Sequence, residues 1–288
     1  MFSSLPGVLF DGAAYGSLLF LISVGLSVTM GMMNFINIAH GAFAMAGGYV
    51  CSLGMERLGI PFLATLPLAF VAGAAAGAVL ERILYRRLYR RSPLDQVLFS
   101  LGLTLMAVAA TTFIFGEGQR PVRLPSFLLG QVHLLGLDLG VYRMFLIAVV
   151  AAITVALEIL LRRSRLGAQI RASVDDAQTS AGLGIDVHRV FALTFTLGSG
   201  LAGLGGALSI DVLGLDPTFP LKYLVYFLLV VVVGGAGTIA GPLIASIVLG
   251  AFDVAGKYYV PQAGSFVIYA LMVALLLLFP GGLRRIAR

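Results

Sequence analysis

Long stretches without charged residues divide the chain into segments that could each cross a membrane. A transmembrane helix needs about 20 consecutive apolar residues. No Asp, Glu, Lys or Arg lies between Asp11 and Glu56, which leaves room for two spans with a turn near residues 31–34. Four later segments each hold one more span, and only Glu158 interrupts them; they are 58–80, 96–116, 144–161 and 190–210.

The run 223–252 predicts two short spans rather than one long span. A single helix over these charge-free residues would be about 45 Å long, whereas a hydrocarbon core is about 30 Å thick. The run also contains the glycine-rich stretches 234–237 and 241–242, which indicate a turn. With a last span inside 264–280, the pattern predicts an all-α bundle of nine crossings in one domain, 1–288. Eight crossings remain the alternative if the glycine turn is only a kink.

Arginine clusters orient this bundle. They follow the third and fifth spans and end the chain, at Arg82, Arg86, Arg87, Arg90 and Arg91; at Arg162, Arg163, Arg165, Arg171 and Arg189; and at Arg284, Arg285 and Arg288. Nine spans put all three clusters on one side, which the positive-inside rule makes the cytoplasm. The N-terminus is then outside and the C-terminus inside. The connection 117–143 is external and is predicted to fold, with a short hairpin, while 162–189 is the longest internal connection.

The composition supports a multi-pass membrane protein. Charged residues make up 11% of the 288 residues, hydrophobic residues 59%, and the mean hydropathy is +1.02. A soluble domain carries about 25% charged residues, so a soluble enzyme, a disordered chain and a secreted disulfide-rich domain are excluded. The net charge of +6 lies in short connections, which favours membrane topology over nucleic-acid binding. Cys51 is the only cysteine and allows no internal disulfide.

Small residues recur at four-residue spacing and predict close helix packing. They form the sets Gly12/Gly16, Gly73/Gly77, Gly198/Ala202/Gly206 and Gly237/Gly241. By itself, this pattern indicates only a multi-helix bundle.

A polar stretch within the second span is the main candidate for chemistry. Asn34, Asn37 and His40 lie close together there, and residues three apart share one side of a helix. A polar face in lipid must turn inward or line a wet path. Two hypotheses follow: a substrate pathway, to which Met45 could add soft packing, or a polar lock between helices. A metal site is not expected, because no second His, Cys or carboxylate lies at ligand spacing.

The internal connection predicts a short exposed helix. Ser173 or Asp175 can cap it, with Asp176 near its positive end, over residues 177–181 and ending at Gly182 or Gly184. Such a helix with small side chains suits docking into a cytoplasmic partner, although a solvated loop has the same composition.

The chain carries no signature of an enzyme. It lacks the phosphate-binding motif GxxxxGK[ST], since Gly256-Lys257 is followed by Tyr258. No set of nucleophile, base and orienting residue is present either. We therefore expect a non-catalytic protein without a cofactor.

Three stretches resemble the LivH-type permeases of branched-chain amino-acid ABC importers. They are 31–49, which includes Asn34, Asn37, His40 and Met45; 171–198; and the glycine-rich turn 233–242. The resemblance implies a subunit of the bacterial inner membrane that works with a second, LivM-like permease, two cytoplasmic ATPase subunits and an extracytoplasmic binding protein, although the residues alone do not separate a heterodimer from a homodimer.

The resemblance also implies that the internal connection holds the coupling helix that fits the ATPase. Ala181, Gly184 and Ile185 match the family's loop. Asp175 and Asp176 stand where importers of this kind generally have a Glu before two alanines, so the match is weaker at these two positions.

The expected function is import of branched-chain or related small amino acids by alternating access, with ATP hydrolysed on a partner. Permeases for urea, short amides or aromatic acids are the alternative within transport. A stand-alone secondary transporter or channel would need buried ionisable groups, which the sequence mostly lacks, and an intramembrane enzyme would need a catalytic set.

Overall fold

The computed structural model describes residues 5–33, 37–89, 91–120, 122–134 and 137–278. These residues form α-helices joined by short connections, with one small β-hairpin. The helices are α1 (Leu5–Met33), α2 (His40–Leu58), α3 (Phe62–Leu80), α4 (Arg86–Leu88), α5 (Pro93–Phe115), α6 (Val141–Arg163), α7 (Arg165–Asp175), α8 (Ala177–Gly182), α9 (Val187–Leu213), α10 (Phe219–Gly234), α11 (Ala240–Tyr259) and α12 (Gly264–Leu278). A π-helical turn, Glu81–Tyr85, joins α3 to α4.

The helices coincide with the predicted apolar segments, so the prediction of an all-α polytopic membrane protein is confirmed. Among the described residues, six helices are long and apolar enough to cross a membrane: α1, α3 with its extension, α5, α6, α9 and α11. Helices α10 and α12 are apolar but shorter. The run 223–252 contains two helices separated by the turn 235–239, as predicted. The number of crossings and their orientation stay predictions.

Helix α1 lies at the centre of the bundle. It packs against α9, α10 and α11, and 83% of its apolar 18-residue stretch is buried inside the bundle. In α5 and α6, only 11% of the corresponding apolar stretch is buried. These two helices expose large apolar side chains, such as Phe113 on α5 and Val155 on α6, so their outer faces need lipid or another subunit to cover them.

The predicted small-residue faces bring helix backbones into contact. Within the predicted sets, a Cβ atom added to Gly16 on α1 would overlap the backbone of Ser246 on α11, and one added to Gly73 on α3 would overlap that of Ser199 on α9. Glycines outside those sets make equally close contacts, such as Gly47 on α2 with Gly203 on α9. Such approaches are possible only where no side chain intervenes. In a membrane, this packing replaces the hydrophobic drive that lipid does not supply.

The glycine-rich turn 235–239 is attached to α1. Gly237 has φ +82° and its N–H donates to the carbonyl of Ser27 over 2.8 Å. The Ser27 hydroxyl donates in return to the carbonyl of Thr238 over 3.1 Å. The turn therefore does more than reverse the chain, because it couples α10 and α11 to the end of α1.

The connection 117–143 folds as predicted. Strands β1 (Gln131–Leu134) and β2 (Leu137–Gly140) form an antiparallel hairpin, in which Val132 pairs with Leu139. Arg120, ahead of the hairpin, makes an ion pair with Glu56 at the end of α2 over 3.5 Å. The connection is thus fastened to the bundle.

Candidate functional site

Asn37 lies in the connection that precedes α2 rather than on the helix itself. It is 2% exposed, and its Oδ1 accepts hydrogen bonds from the Tyr85 hydroxyl over 2.9 Å and from the Ala39 N–H over 3.1 Å. The neighbouring Ile38 N–H donates to the Ser100 hydroxyl over 3.3 Å. Asn37 therefore ties this turn to the π-helical segment, while its neighbour reaches α5.

His40 is the first residue of α2 and contacts a different helix. It is 3% exposed, and its Nε2 lies 2.8 Å from the carbonyl oxygen of Ile22 on α1. Because a carbonyl only accepts, Nε2 is the protonated ring nitrogen in this contact. The imidazole also lies edge to face with Phe43, with 6.3 Å between ring centroids.

These positions change the geometry expected from the sequence. Asn37 precedes the first helical residue of α2, so the argument that 37 and 40 share a helix face does not apply. Their side chains bond to different neighbours. Met45 is buried on α2 at 2% exposure, and Asn34 lies outside the described residues.

Tyr85 and Ser100 are polar partners that the sequence did not reveal. Tyr85 is fully buried but sits inside the arginine-rich run after the third span, which we interpreted only as a topology signal. Its partner Asn37 is 48 residues away. No local spacing links residues so far apart, so this contact needed the tertiary structure.

The internal connection contains the predicted short helix, with a different cap. Asp176 caps α8: its Oδ1 accepts from the N–H groups of Gln178 and Thr179, both over 2.9 Å. Asp175 instead ends α7, and Ser173 is buried, so neither is the cap that we expected. The Thr179 hydroxyl, which donates to the other oxygen over 2.6 Å, holds the pKa of Asp176 below its usual value.

The tip after α8 exposes one large apolar side chain. Leu183 is 79% exposed, and Ala181 and Gly184 beside it are also exposed. Gly184, two residues after the end of α8, has φ +86°, which explains why a glycine occupies this position. Ile185 is half-buried and packs with Ile170. The segment thus has an anchored side and a free side.

Helix α7 carries this tip at the end of the bundle that also holds the turn 235–239. Ile170 and Val190 form a small apolar cluster against which Val28 of α1 and Val174 also pack. A Cβ on Gly237 would lie 2.8 Å from the Val174 side chain, so Val174 lies directly against the glycine-rich turn. The exposed tip is therefore linked by packing to α1, α10 and α11.

The described residues offer no metal site: no three or more His, Cys, Asp or Glu side chains are grouped to hold an ion. The arrangement is a packed helical bundle in which Asn37 and His40 join neighbouring segments by buried hydrogen bonds, and in which the tip at Leu183 is exposed.

Comparison with known proteins gives matches over nearly the whole chain. Residues 8–276 match the model of the family described as branched-chain amino acid transport system / permease component. The chain is 28% identical to the high-affinity branched-chain amino acid transport system permease protein LivH of Escherichia coli strain K12, over 96% of this chain and 94% of that protein.

Two further relatives come from a different bacterium and an archaeon. The chain is 26% identical to the permease protein BraD of Pseudomonas aeruginosa, over 96% of this chain and 94% of BraD. It is also 26% identical to a probable LivH permease of Methanocaldococcus jannaschii, over 96% and 91% respectively. No solved structure matches the chain.

Proposed function

Since this chain belongs to the family of permease components of branched-chain amino acid transport systems, we propose that it carries branched-chain or related small amino acids through the bacterial inner membrane. The observation that carries this proposal is the match over residues 8–276, which includes at least most of every helix of the bundle. The chain acts as the permease subunit of an ATP-driven importer and is not itself the ATPase.

The proposed partners are those that the family resemblance implies. Two cytoplasmic ATPase subunits would hydrolyse ATP, for which this chain carries no phosphate-binding motif. The poorly buried apolar faces of α5 and α6 suit lipid or a second, LivM-like permease. An extracytoplasmic binding protein would deliver the amino acid to the external end of the bundle.

The tip at Leu183 and Gly184 would receive the motion of the ATPase. Its exposed leucine offers an apolar anchor, and the surrounding residues are small enough to enter a cleft. Movement of the tip would pass through Val174 to the turn 235–239, which Ser27 holds to α1. The tip reaches Val174 through Ile185, because both side chains pack against the apolar cluster of Ile170 and Val190. Docking could thereby reorient α10 relative to α1 and α11, whose backbones interlock at Gly12 and Gly16.

Substitution of Leu183 tests the docking proposal. Leu183→Ala removes the exposed anchor without touching the packed side, so the permease should fold while ATPase association weakens by at least about tenfold. Leu94→Ala, at a leucine that is 66% exposed at the start of α5, is the matched control. Unchanged ATPase association in the Leu183 variant would reject the docking surface. Gly184 is a poorer probe, because its φ of +86° makes any side chain strained.

The nine-crossing orientation is also a proposal. It requires the hairpin 131–140 to be external and α8 to be internal. In a Cys51→Ala background, a membrane-impermeant thiol reagent should label Gln131→Cys in intact cells and should reach Gln178→Cys only after permeabilisation. Both positions lie on exposed side chains. Labelling of both in intact cells would rule out this topology.

The buried hydrogen bonds of Asn37 and His40 favour a structural role for both residues in this conformation. Each is almost fully buried and bonded to a neighbouring segment, so neither is open to a solute here. We propose that they hold the inner ends of α1, α2 and α3 together.

Reconstitution of the complex tests the substrate class. Permease, ATPases and binding protein would be placed in liposomes with radiolabelled leucine, isoleucine and valine, and with urea, a short amide and an aromatic acid as competitors. ATP-dependent uptake of the aliphatic amino acids supports the proposal. Uptake of urea, the amide or the aromatic acid in their place would reassign the substrate.

A further inference from the structure

A polar pocket of about 430 Å³ lies at the end of the bundle opposite the exposed tip at Leu183. We call it the outer pocket; it is lined by α1, α9, α10, α11 and α12, with Arg143 of α6 at its edge. Tyr15, on its α1 side, is about 18 Å along the helix from Ser27 at the glycine-rich turn. The volume falls within the range of small-molecule sites, about 300–1,000 Å³.

Asp253 on α11 is the least exposed charged group of this pocket. It is 1% exposed, and its Oδ2 pairs with Nζ of Lys257 over 2.5 Å. Its Oδ1 is buried and has no hydrogen-bond partner among the described residues. A buried carboxylate oxygen without a donor is costly, so this atom calls for a donor from outside the described chain.

Lys257 complements this oxygen. Its side chain is 50% exposed, and an ammonium group has three donors, of which Asp253 takes one. The remaining donors can meet an incoming carboxylate. Asp253 and Lys257, four residues apart on one helix face, thus present an acceptor and a donor side by side.

Aromatic rings complete the wall. Tyr15 and Tyr226 meet edge to face with centroids 6.4 Å apart, and Tyr223 lies 6.0 Å from Tyr226. Ring faces attract ammonium groups and also accept aliphatic side chains. Val212 and Leu213 add apolar surface.

We propose that the outer pocket binds a free α-amino acid, with its ammonium group on Asp253 Oδ1, its carboxylate on Lys257 and its side chain against the tyrosines. A simple cation would give Lys257 no new partner, and a simple anion would leave Asp253 Oδ1 unbonded. A zwitterion satisfies both, because its opposite charges are adjacent, as are those of the pair. This inference rests on the proposed function and assigns residues to its substrate.

Photo-crosslinking locates the ligand. The assembled complex of permeases and ATPases, in detergent and without binding protein, is irradiated with a diazirine analogue of leucine and mapped by mass spectrometry. Labels should fall on peptides that contain Tyr15 or Tyr226. Excess leucine should compete, whereas 4-methylpentanoate, which lacks the ammonium group, should not.

Two variants separate the contacts. Asp253→Asn keeps the shape but removes the charge, and should reduce labelling at least about tenfold. Glu158→Gln, which breaks another carboxylate–cation pair with i,i+4 spacing on α6, is the matched control and should label as the wild type does. Lys257→Gln should make leucinamide as good a competitor as leucine, because the carboxylate no longer has its partner.

The outcomes separate failure of the outer-pocket assignment from failure of the proposed function. Labels outside the outer pocket, no specific labelling, or full labelling of Asp253→Asn overturn the site, even when the reconstituted wild type takes up leucine and the proposed function stands. Absence of amino-acid uptake by the wild type instead overturns the proposed function. If Asp253→Asn fails to assemble, the Lys257→Gln competition decides: continued preference for leucine over leucinamide rejects the proposal.

Discussion

Removal of the His40 imidazole should destabilise the permease without slowing transport by the complexes that still assemble. His40→Ala loses the hydrogen bond to the Ile22 carbonyl, which is worth about 0.6 kcal/mol for an average interhelical bond in a membrane. It also loses the edge-to-face contact with Phe43, worth about 1 kcal/mol. The space left by a fully buried ring adds to both, so we expect a total cost of about 2 kcal/mol or more.

His40→Gln separates these contributions. Glutamine keeps an N–H donor of similar reach, so it can retain the bond to Ile22, but it has no ring to meet Phe43. The cost should therefore fall to about 1 kcal/mol. A polar lock predicts this order of stability, with the glutamine variant between the wild type and the alanine variant.

The assay compares two quantities on the same preparations. Thermal unfolding in detergent reports stability, and leucine uptake divided by the amount of assembled complex reports transport. Cys51→Ala, a buried substitution elsewhere on α2, controls for nonspecific loosening of this helix. A large loss of uptake per complex in His40→Ala, with an unchanged unfolding midpoint, would refute the lock and restore the pathway role.

The remaining predictions concern helix contact and capping. Gly47→Ala should destabilise by about 2 kcal/mol or more, because the new Cβ overlaps Gly203, whereas Gly102→Ala, which meets nothing within 4 Å, should be neutral or stabilising in thermal unfolding. Asp176→Ala should increase hydrogen exchange at Thr179 and weaken ATPase association, and Asp176→Asn should not, because asparagine caps equally well. Since the folded pKa of Asp176 is lowered, the charge-dependent part of its stabilisation is fully present at neutral pH and is lost only as pH falls below about 4, through that lowered pKa.

Charge gaps predicted the helices well because a membrane leaves the chain few alternatives. A charged side chain inside the hydrocarbon is expensive, so charges mark the ends of spans. The break between α10 and α11 could be predicted for a similar reason, since a run too long for one crossing contained turn-forming glycines. Turn geometry at Gly235 and Gly237, both with positive φ, agrees with that argument.

Contacts between distant segments could not be predicted this way. The spacing of Asn37 and His40 suggested one shared face, but the helix begins at His40 and the two side chains bond to different neighbours. Likewise, Asp253 and Lys257 showed their four-residue spacing in the sequence. The burial of Asp253 depends on how α11 packs against α1, which no local pattern reports.

Close backbone contacts limit which parts of this bundle can move separately. Helices α1, α2 and α9 touch at glycines such as Gly25 and Gly47, where interlocked backbones resist sliding. The turn 235–239 has two glycines at positive φ and can absorb dihedral changes more easily. It lies against Val174, while α10 ahead of it carries Tyr226 to the outer pocket. Helix α11 belongs to the same rigid unit, because Gly12 and Gly16 of α1 meet its backbone just as closely. A movement received at the exposed tip would thus reach the outer pocket through α10, which pivots at this turn against a rigid α1–α2–α9–α11 unit.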